Sequence, residues 1–184
     1  MAKANKKNSS SATIITILIL ILCIIAICVG VYLKMKEYSE LPVDQGEILL
    51  EKNLETDYPE SPKAVVEYYY DIYKYLYSGE ADVTYTSELI WQMRLMYTRE
   101  LQVLNPYEIQ KEAALEEIVE GQTYGVKMLT YELQDLRYDD ANSTIAYVTV
   151  KEYWSGIQNF TKEYALYLED GDWKIHRWDI LSRE

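Results

Sequence analysis

Residues 160–178 read FTKEYALYLEDGDWKIHRW. Phe160, Tyr164, Leu166 and Leu168 fall at even spacing, the two-residue period that puts alternate side chains on one face of a strand. Asp170-Gly171 then supplies a two-residue hairpin turn, because its central positions need positive φ angles that Asp and Gly tolerate. Trp173 and Ile175 open a further strand, and the apolar phase slips between Ile175 and Trp178, as a β-bulge makes it do. Working upstream, Leu129, Tyr131 and Leu133 line one face of a strand. In the next strand Ile145, Tyr147 and Thr149 line one face and Ala146, Val148 and Val150 the other. Asp139–Asn142 and Ser155–Asn159 carry the turn residues between strands. The C-terminal half therefore reads as a four-stranded antiparallel meander.

Before residue 125 the period is helical. Ser61 and Pro62 form an N-cap and first-turn pair and Gly79 lies just past the end of the segment. Between them Val65, Tyr69, Ile72 and Leu76 make one apolar face, with Lys63, Glu67, Asp71 and Lys74 roughly opposite. A second helix is expected from a Ser87 cap to about Leu104, with Ile90, Met93, Tyr97, Leu101 and Leu104 in register. Asn105-Pro106 starts a third, with Glu108 placed for a capping box, running to Gly121. Helices followed by a meander give an α+β domain: three helices packed on a curved four-stranded antiparallel sheet.

The N-terminal end is of another kind. From Ile14 to Leu33 twenty residues carry no charge. As a helix at 1.5 Å per residue they span about 30 Å, the apolar thickness of a bilayer. That run exceeds the roughly 7–15 apolar residues of a signal peptide, and Gly30-Val31-Tyr32 is no A-x-A cleavage pattern. The expected organisation is a cytoplasmic basic tail over 1–12, a transmembrane anchor over 13–33, a stalk over 34–60 punctuated by Pro42, Gly46 and Pro59, and a domain over 61–184. Charge follows the same division. The whole chain, 184 residues long, stands at −12. Residues 1–36 hold five lysines and no acid, while 37–184 hold 13 bases against 30 acids, a net of −17. Lysines before the span favour a cytoplasmic N-terminus, with the acidic part outside the membrane. So acidic a body excludes nucleic acid as a partner, since that affinity comes mainly from Lys and Arg displacing counterions.

The helix, helix, helix, meander order, ending in Gly-Asp-Trp-Lys-Ile, resembles the nuclear-transport-factor-two-like cone fold, shared with SnoaL-like cyclases and ketosteroid isomerases. Asn53-Leu54, Tyr58-Pro59, Ser61 to Val66, Tyr97-Thr98-Arg99-Glu100-Leu101 before Asn105-Pro106, and Trp173-Lys174-Ile175 with Trp178 resemble a group of membrane-anchored clostridial proteins of unknown function. The resemblance covers about residues 53–181. It implies a pocket between sheet and first helix, where enzymes of the fold hold a carboxylate or His as base beside Tyr donors. None of their catalytic positions transfers to a residue of this chain.

Chemistry has few carriers. The chain has one His and two Cys, and it lacks phosphate-loop, dinucleotide, nucleophile-elbow and paired-Cys motifs. Glu169-Asp170-Gly171-Asp172 lacks the spacing of a calcium loop and reads as the hairpin; neither metal nor cofactor is expected. The chain has 19 Tyr against one Phe, which suggests a wet cavity or an interaction face, because interiors accept Phe where no hydroxyl partner exists. The candidate pocket or interface residues are Tyr69, Tyr73, Tyr131, Glu132, Tyr147, Tyr164, His176 and Trp178. The expectation is a non-enzymatic, single-pass protein held in the lipid bilayer by residues 14–33, whose extracytoplasmic domain binds a protein partner or cell-envelope component. The alternative is a small-molecule-binding or SnoaL-like enzymatic cone with a Tyr/carboxylate pocket.

Overall fold

A computed structural model describes residues 24, 25, 27–32 and 44–184. The chain divides into two units, Met1–Val43 and Asp44–Glu184. In the first, residues 24, 25 and 27–32 are helical. Most of the expected tail and anchor, and residues 34–43 of the expected stalk, lie outside the described residues. Among the described residues no helix is long and apolar enough to cross a membrane.

The second unit is α+β. It runs α1 (Gln45–Leu50), α2 (Pro62–Leu76), α3 (Val83–Leu95), α4 (Arg99–Leu104), α5 (Tyr107–Tyr124), then β1 (Lys127–Tyr138), β2 (Ile145–Ser155), β3 (Phe160–Glu169) and β4 (Asp172–Arg183). The strands form one sheet in the order β1-β2-β3-β4, each pair antiparallel. Of the stretch expected as a stalk, residues 44–60 belong to this unit: Leu49 and Leu54 are buried in its core. Asp44 caps α1 and also accepts a hydrogen bond from the Tyr75 hydroxyl at 2.7 Å, which ties α1 to α2. Gly46 permits that approach, since a Cβ there would lie 2.7 Å from the Tyr75 oxygen.

Helix α2 begins as its sequence dictates, with the Ser61 side chain accepting from the Ala64 amide at 3.2 Å. It lies across the sheet, and nine of its fifteen residues are buried. Each such aliphatic or aromatic side chain contributes about 2 kcal/mol on leaving water, so this helix is the spine of the core. Against it pack Val148 and Val150 of β2, Tyr164 and Leu166 of β3 and Ile175 of β4.

The expected single helix from Ser87 to Leu104 is two helices. Asp82, not Ser87, caps α3, accepting from Thr84 at 2.7 Å. The chain leaves the helix at Met96 because three residues pair with the edge of β4. The Ile175 amide donates to the Met96 carbonyl at 2.8 Å, and Thr98 donates to Ile175 at 2.9 Å. Tyr97 forms a parallel bridge with Ile175. Thr98 then caps α4. Buried Tyr97 thus keeps the expected inward direction, while Leu104 beyond the break is 70% exposed. The third expected helix starts without the capping box, since Pro106 makes no side-chain cap bond; it runs on through Gly121 to Tyr124, where Gly125 adopts φ 70.

Bulges set the sheet's phase. Ala165 pairs with Arg177 and Leu166 with Ile175, so His176 is the extra residue that accounts for the slip before Trp178. A second irregularity corrects the reading of β1. Met128 pairs with Trp154 and Thr130 with Tyr153, leaving Leu129 unpaired. Met128 is consequently buried in place of Leu129, which is 55% exposed.

Candidate binding cleft between helix α5 and the sheet

Along β2 the residues Ala146, Val148, Val150 and Glu152 share the inward parity, and all four are fully buried. A carboxylate therefore stands at the end of an apolar row. β3 brings Lys162 opposite Val150, two pairs from Glu152 on the same face, so the two charges meet on a diagonal. Lys162 Nζ lies 2.8 Å from Glu152 Oε1. The Tyr70 hydroxyl donates to the same oxygen at 2.6 Å, and the Trp154 indole donates to Oε2 at 2.9 Å. Three donors thus replace the water that burial removed, without which a charge at this depth is prohibitively costly.

A second layer orients the first. Tyr70 has a single hydroxyl proton and gives it to Glu152, so the Tyr164 hydroxyl, 2.9 Å away, donates to Tyr70. Tyr69 lies against Tyr70 and Tyr164, and its hydroxyl is 3.3 Å from that of Tyr97. Burial holds the hydroxyls of Tyr69, Tyr70 and Tyr164 well above the usual tyrosine range, and for Tyr70 the neighbouring Glu152 adds to the rise. Near neutrality these groups keep their protons and do not act as bases.

The open space lies beside this core. Helix α5 leans on α3, where Ile118 is its one buried residue, Tyr107 donates to the Ser87 carbonyl at 3.0 Å, and Trp91 meets the Tyr107 ring edge-on at 5.1 Å. At the end of α2 it is met by the Tyr77 hydroxyl, which donates to Glu117 at 2.6 Å. A cleft with two compartments remains between α5 and the sheet. One, of about 440 Å³, has apolar walls that include Leu76, Ile90, Met93, Ile109 and Ala113. The other, of about 360 Å³, is walled by Tyr73, Tyr77, Trp154 and Phe160, with Glu117 and Glu120 on its α5 side. Tyr73, Tyr77, Glu117 and Lys162 line both compartments.

Four of the eight residues singled out from sequence meet at the first compartment. Tyr69, Tyr73, Tyr164 and Trp178 line it, with Trp178 stacked on Tyr164 at 6.0 Å. The other four lie elsewhere. Tyr131 packs on Tyr70 at 4.9 Å but turns its hydroxyl to Asp71, 2.7 Å away. Glu132 is exposed and accepts from Tyr153 at 3.1 Å. Tyr147 has the opposite parity to the buried row and lies under the Arg137 guanidinium at 3.8 Å. His176, the bulge residue, stacks on Tyr167 at 4.1 Å. Asp179 of β4 pairs with Arg177 at 3.2 Å. Sequence reasoning missed Glu152, Lys162, Trp154 and Glu117. For Glu152 the signal was present, since it continues the even-numbered row of Ala146, Val148 and Val150.

Among the described residues no group of His, Cys, Asp and Glu is arranged to hold a metal ion. The chain belongs to the family of the Domain of unknown function (DUF6715), whose model matches residues 1–178. No curated protein matches it. Among solved structures, the intermembrane space region of the chloroplast protein ARC6 is similar at a TM-score of 0.38 and 12% identity, covering 67% of this chain and 99% of that one. A likeness at that level carries no argument about function.

Proposed function

We propose that this member of the DUF6715 family is a membrane-tethered binding module. In this reading residues 13–33 anchor it, and its extracytoplasmic domain grips a protein partner or cell-envelope component in the cleft between α5 and the sheet. The fold is read as a nuclear-transport-factor-two-like cone of the membrane-anchored clostridial kind. The element order and the caps at Ser61 and Thr98 support that reading. The anchor is supported by the uncharged run over 14–33. Protease added to intact cells removes the domain if the topology is right; survival of the domain until lysis contradicts it.

The observation that carries the binding role is the aromatic, two-compartment cleft with a fixed ion pair at its base. Such sites are concave, mostly apolar and furnished with a few placed polar groups. Three donors already engage Glu152, and the buried tyrosines hold their protons, which favours recognition over proton transfer. Photocrosslinking in cells tests this directly. A photoreactive residue at Ile109, in the cleft, should capture one discrete protein or envelope fragment. The same residue at Thr149, on the outward parity of β2, should capture none. Equal yields from both positions, or from neither, overturn the reading.

A second reading is favoured by one contact, the 2.6 Å bond between the Tyr70 hydroxyl and the fully buried Glu152 carboxylate. That pairing is the Tyr/carboxylate arrangement of a small-molecule or SnoaL-like cone. Native mass spectrometry of the full chain taken from cells separates the two. A bound small molecule of defined mass supports this second reading, and a bound polypeptide supports the first.

A further inference from the structure

We infer that the 360 Å³ compartment is a subsite for an alkylammonium group, the chemistry of a lysine side chain projecting from the bound partner. The inference rests on the proposed partner-binding reading of the cleft and deepens it.

The walls come first. The Tyr73 and Tyr77 rings lie 4.5 Å apart, and both meet Trp154 nearly at right angles, at 6.1 and 5.8 Å. Together they form a corner that shows π faces as well as ring edges. Faces of this kind attract cations, with Trp the strongest, and rings gathered around one point are how ammonium groups are recognised. The corner already holds one cation in this manner, because Lys162 Nζ lies 5.5 Å from the Tyr73 centroid and 5.8 Å from that of Phe160.

The sign of the charge comes next. Lys162 and Glu152 neutralise one another at 2.8 Å. That leaves Glu117 and Glu120 on the α5 side of the compartment. Glu117 accepts from the neutral Tyr77 hydroxyl, and among the described residues neither carboxylate is ion-paired with a base. The compartment therefore carries two uncompensated negative charges beside aromatic faces. Tyr73 and Tyr77 register that field: after burial, Glu152 and then Glu117 raise the Tyr73 hydroxyl, and Glu117 contributes to the rise at Tyr77. An acidic group entering here meets the two unpaired carboxylates of Glu117 and Glu120, whereas an ammonium meets their attraction and the ring faces together.

The neighbouring compartment fixes what lies beside the cation. Leu76, Ile90, Ile109 and Ala113 offer only apolar surface, which suits an aliphatic side chain of the same segment. A net charge of −17 over residues 37–184 also favours approach of a basic partner over an acidic one.

The test uses the full chain in non-ionic detergent and three peptides of one sequence, carrying Lys, uncharged norleucine or Glu at a single position. Binding is read from the fluorescence of Trp154 and Trp178, which lie in the two compartments. The lysine peptide should bind about tenfold more tightly than the norleucine peptide, within the range of a cation held by aromatic faces and carboxylates. Raising salt should shrink that ratio. Glu117→Gln with Glu120→Gln keeps side-chain shape and hydrogen-bond acceptors but removes both charges, and should bring the ratio towards one. Asp135→Asn, remote from the cleft, should leave it unchanged. Equal binding of lysine and norleucine peptides, or a preference for the glutamate peptide, overturns the subsite. If crosslinking at Ile109 still captures a partner in that case, the subsite alone falls; if it captures none, the reading beneath it falls too.

Discussion

Helix α2 has fifteen residues and buries nine, whereas α5 has eighteen and buries one. α2 opens on a Ser61 side-chain cap and α5 on Pro106 with none, but the larger difference lies in what their sides do. Most of α2 meets something, Val65 and Ile72 the core, Tyr68 the α1 carbonyl of Leu49 at 2.6 Å and Tyr70 the buried carboxylate, while Lys63, Asp71 and Lys74 are exposed. Helix α5 buries Ile118 alone and leaves Ile109 and Val119 at 65% and 59% exposure. A helix that contributes so little to the core is kept in place by few contacts, and elements of that kind open at low cost. The comparison separates a scaffold helix from a wall that bounds the cleft.

Truncating the scaffold has the largest expected effect. Ile72→Ala empties a fully buried site and should cost about 4 kcal/mol in urea unfolding. Ile109→Ala on α5 should cost less than about 0.5 kcal/mol, as exposed substitutions do. Comparable losses would erase the distinction between the helices.

Next comes the ion pair on the sheet, between β2 and β3. Glu152→Gln strands the Lys162 ammonium and should cost about 3 kcal/mol, slightly softened because Lys162 keeps 14% of its side chain in water. Adding Lys162→Met should recover much of that loss, since it removes the stranded ammonium. No recovery would mean that Glu152 acts through Tyr70 and Trp154 alone.

The smallest perturbation is alkaline pH. The folded state raises Tyr69, Tyr70 and Tyr164 above the ordinary value of 10.0, so the folded protein holds those protons where the unfolded chain releases them. Their contribution is complete below pH 10 and is lost as pH rises beyond it towards the folded values. Tyrosinate absorbance should therefore rise together with loss of helical circular dichroism. Full ionisation of all tyrosines with the helices intact would contradict the burial of α2.

The scaffold was the legible part. Ser61-Pro62 and the Val65–Leu76 spacing mark α2 because caps and one-sided burial both leave local signatures. Asp170-Gly171 and the phase slip after Ile175 mark the last hairpin and its bulge in the same way. The break at Met96–Thr98 was hidden, because it arises from pairing with Ile175, a residue remote in sequence that no local period reports. The site was half legible. Tyr69 and Tyr73 follow from the α2 face, and Tyr164 and Trp178 from strand parity around the bulge. Tyr147 and Glu132 point elsewhere, because parity alone does not say which face of a strand the helices cover. Glu152 and Lys162 sit on the correct parity, but charged residues read as solvated until a diagonal partner across two strands is known.

The most direct measurement is amide hydrogen exchange of the full chain, alone and with the partner captured through Ile109. Alone, amides of residues 107–124 should exchange far faster than those of 62–76. With the partner bound, exchange over 107–124 should slow while the rates in α2 stay as they were. Protection of the outward face of β2 with α5 unchanged, or an α5 already as protected as α2 in the free protein, would contradict a cleft bounded by a loosely held wall.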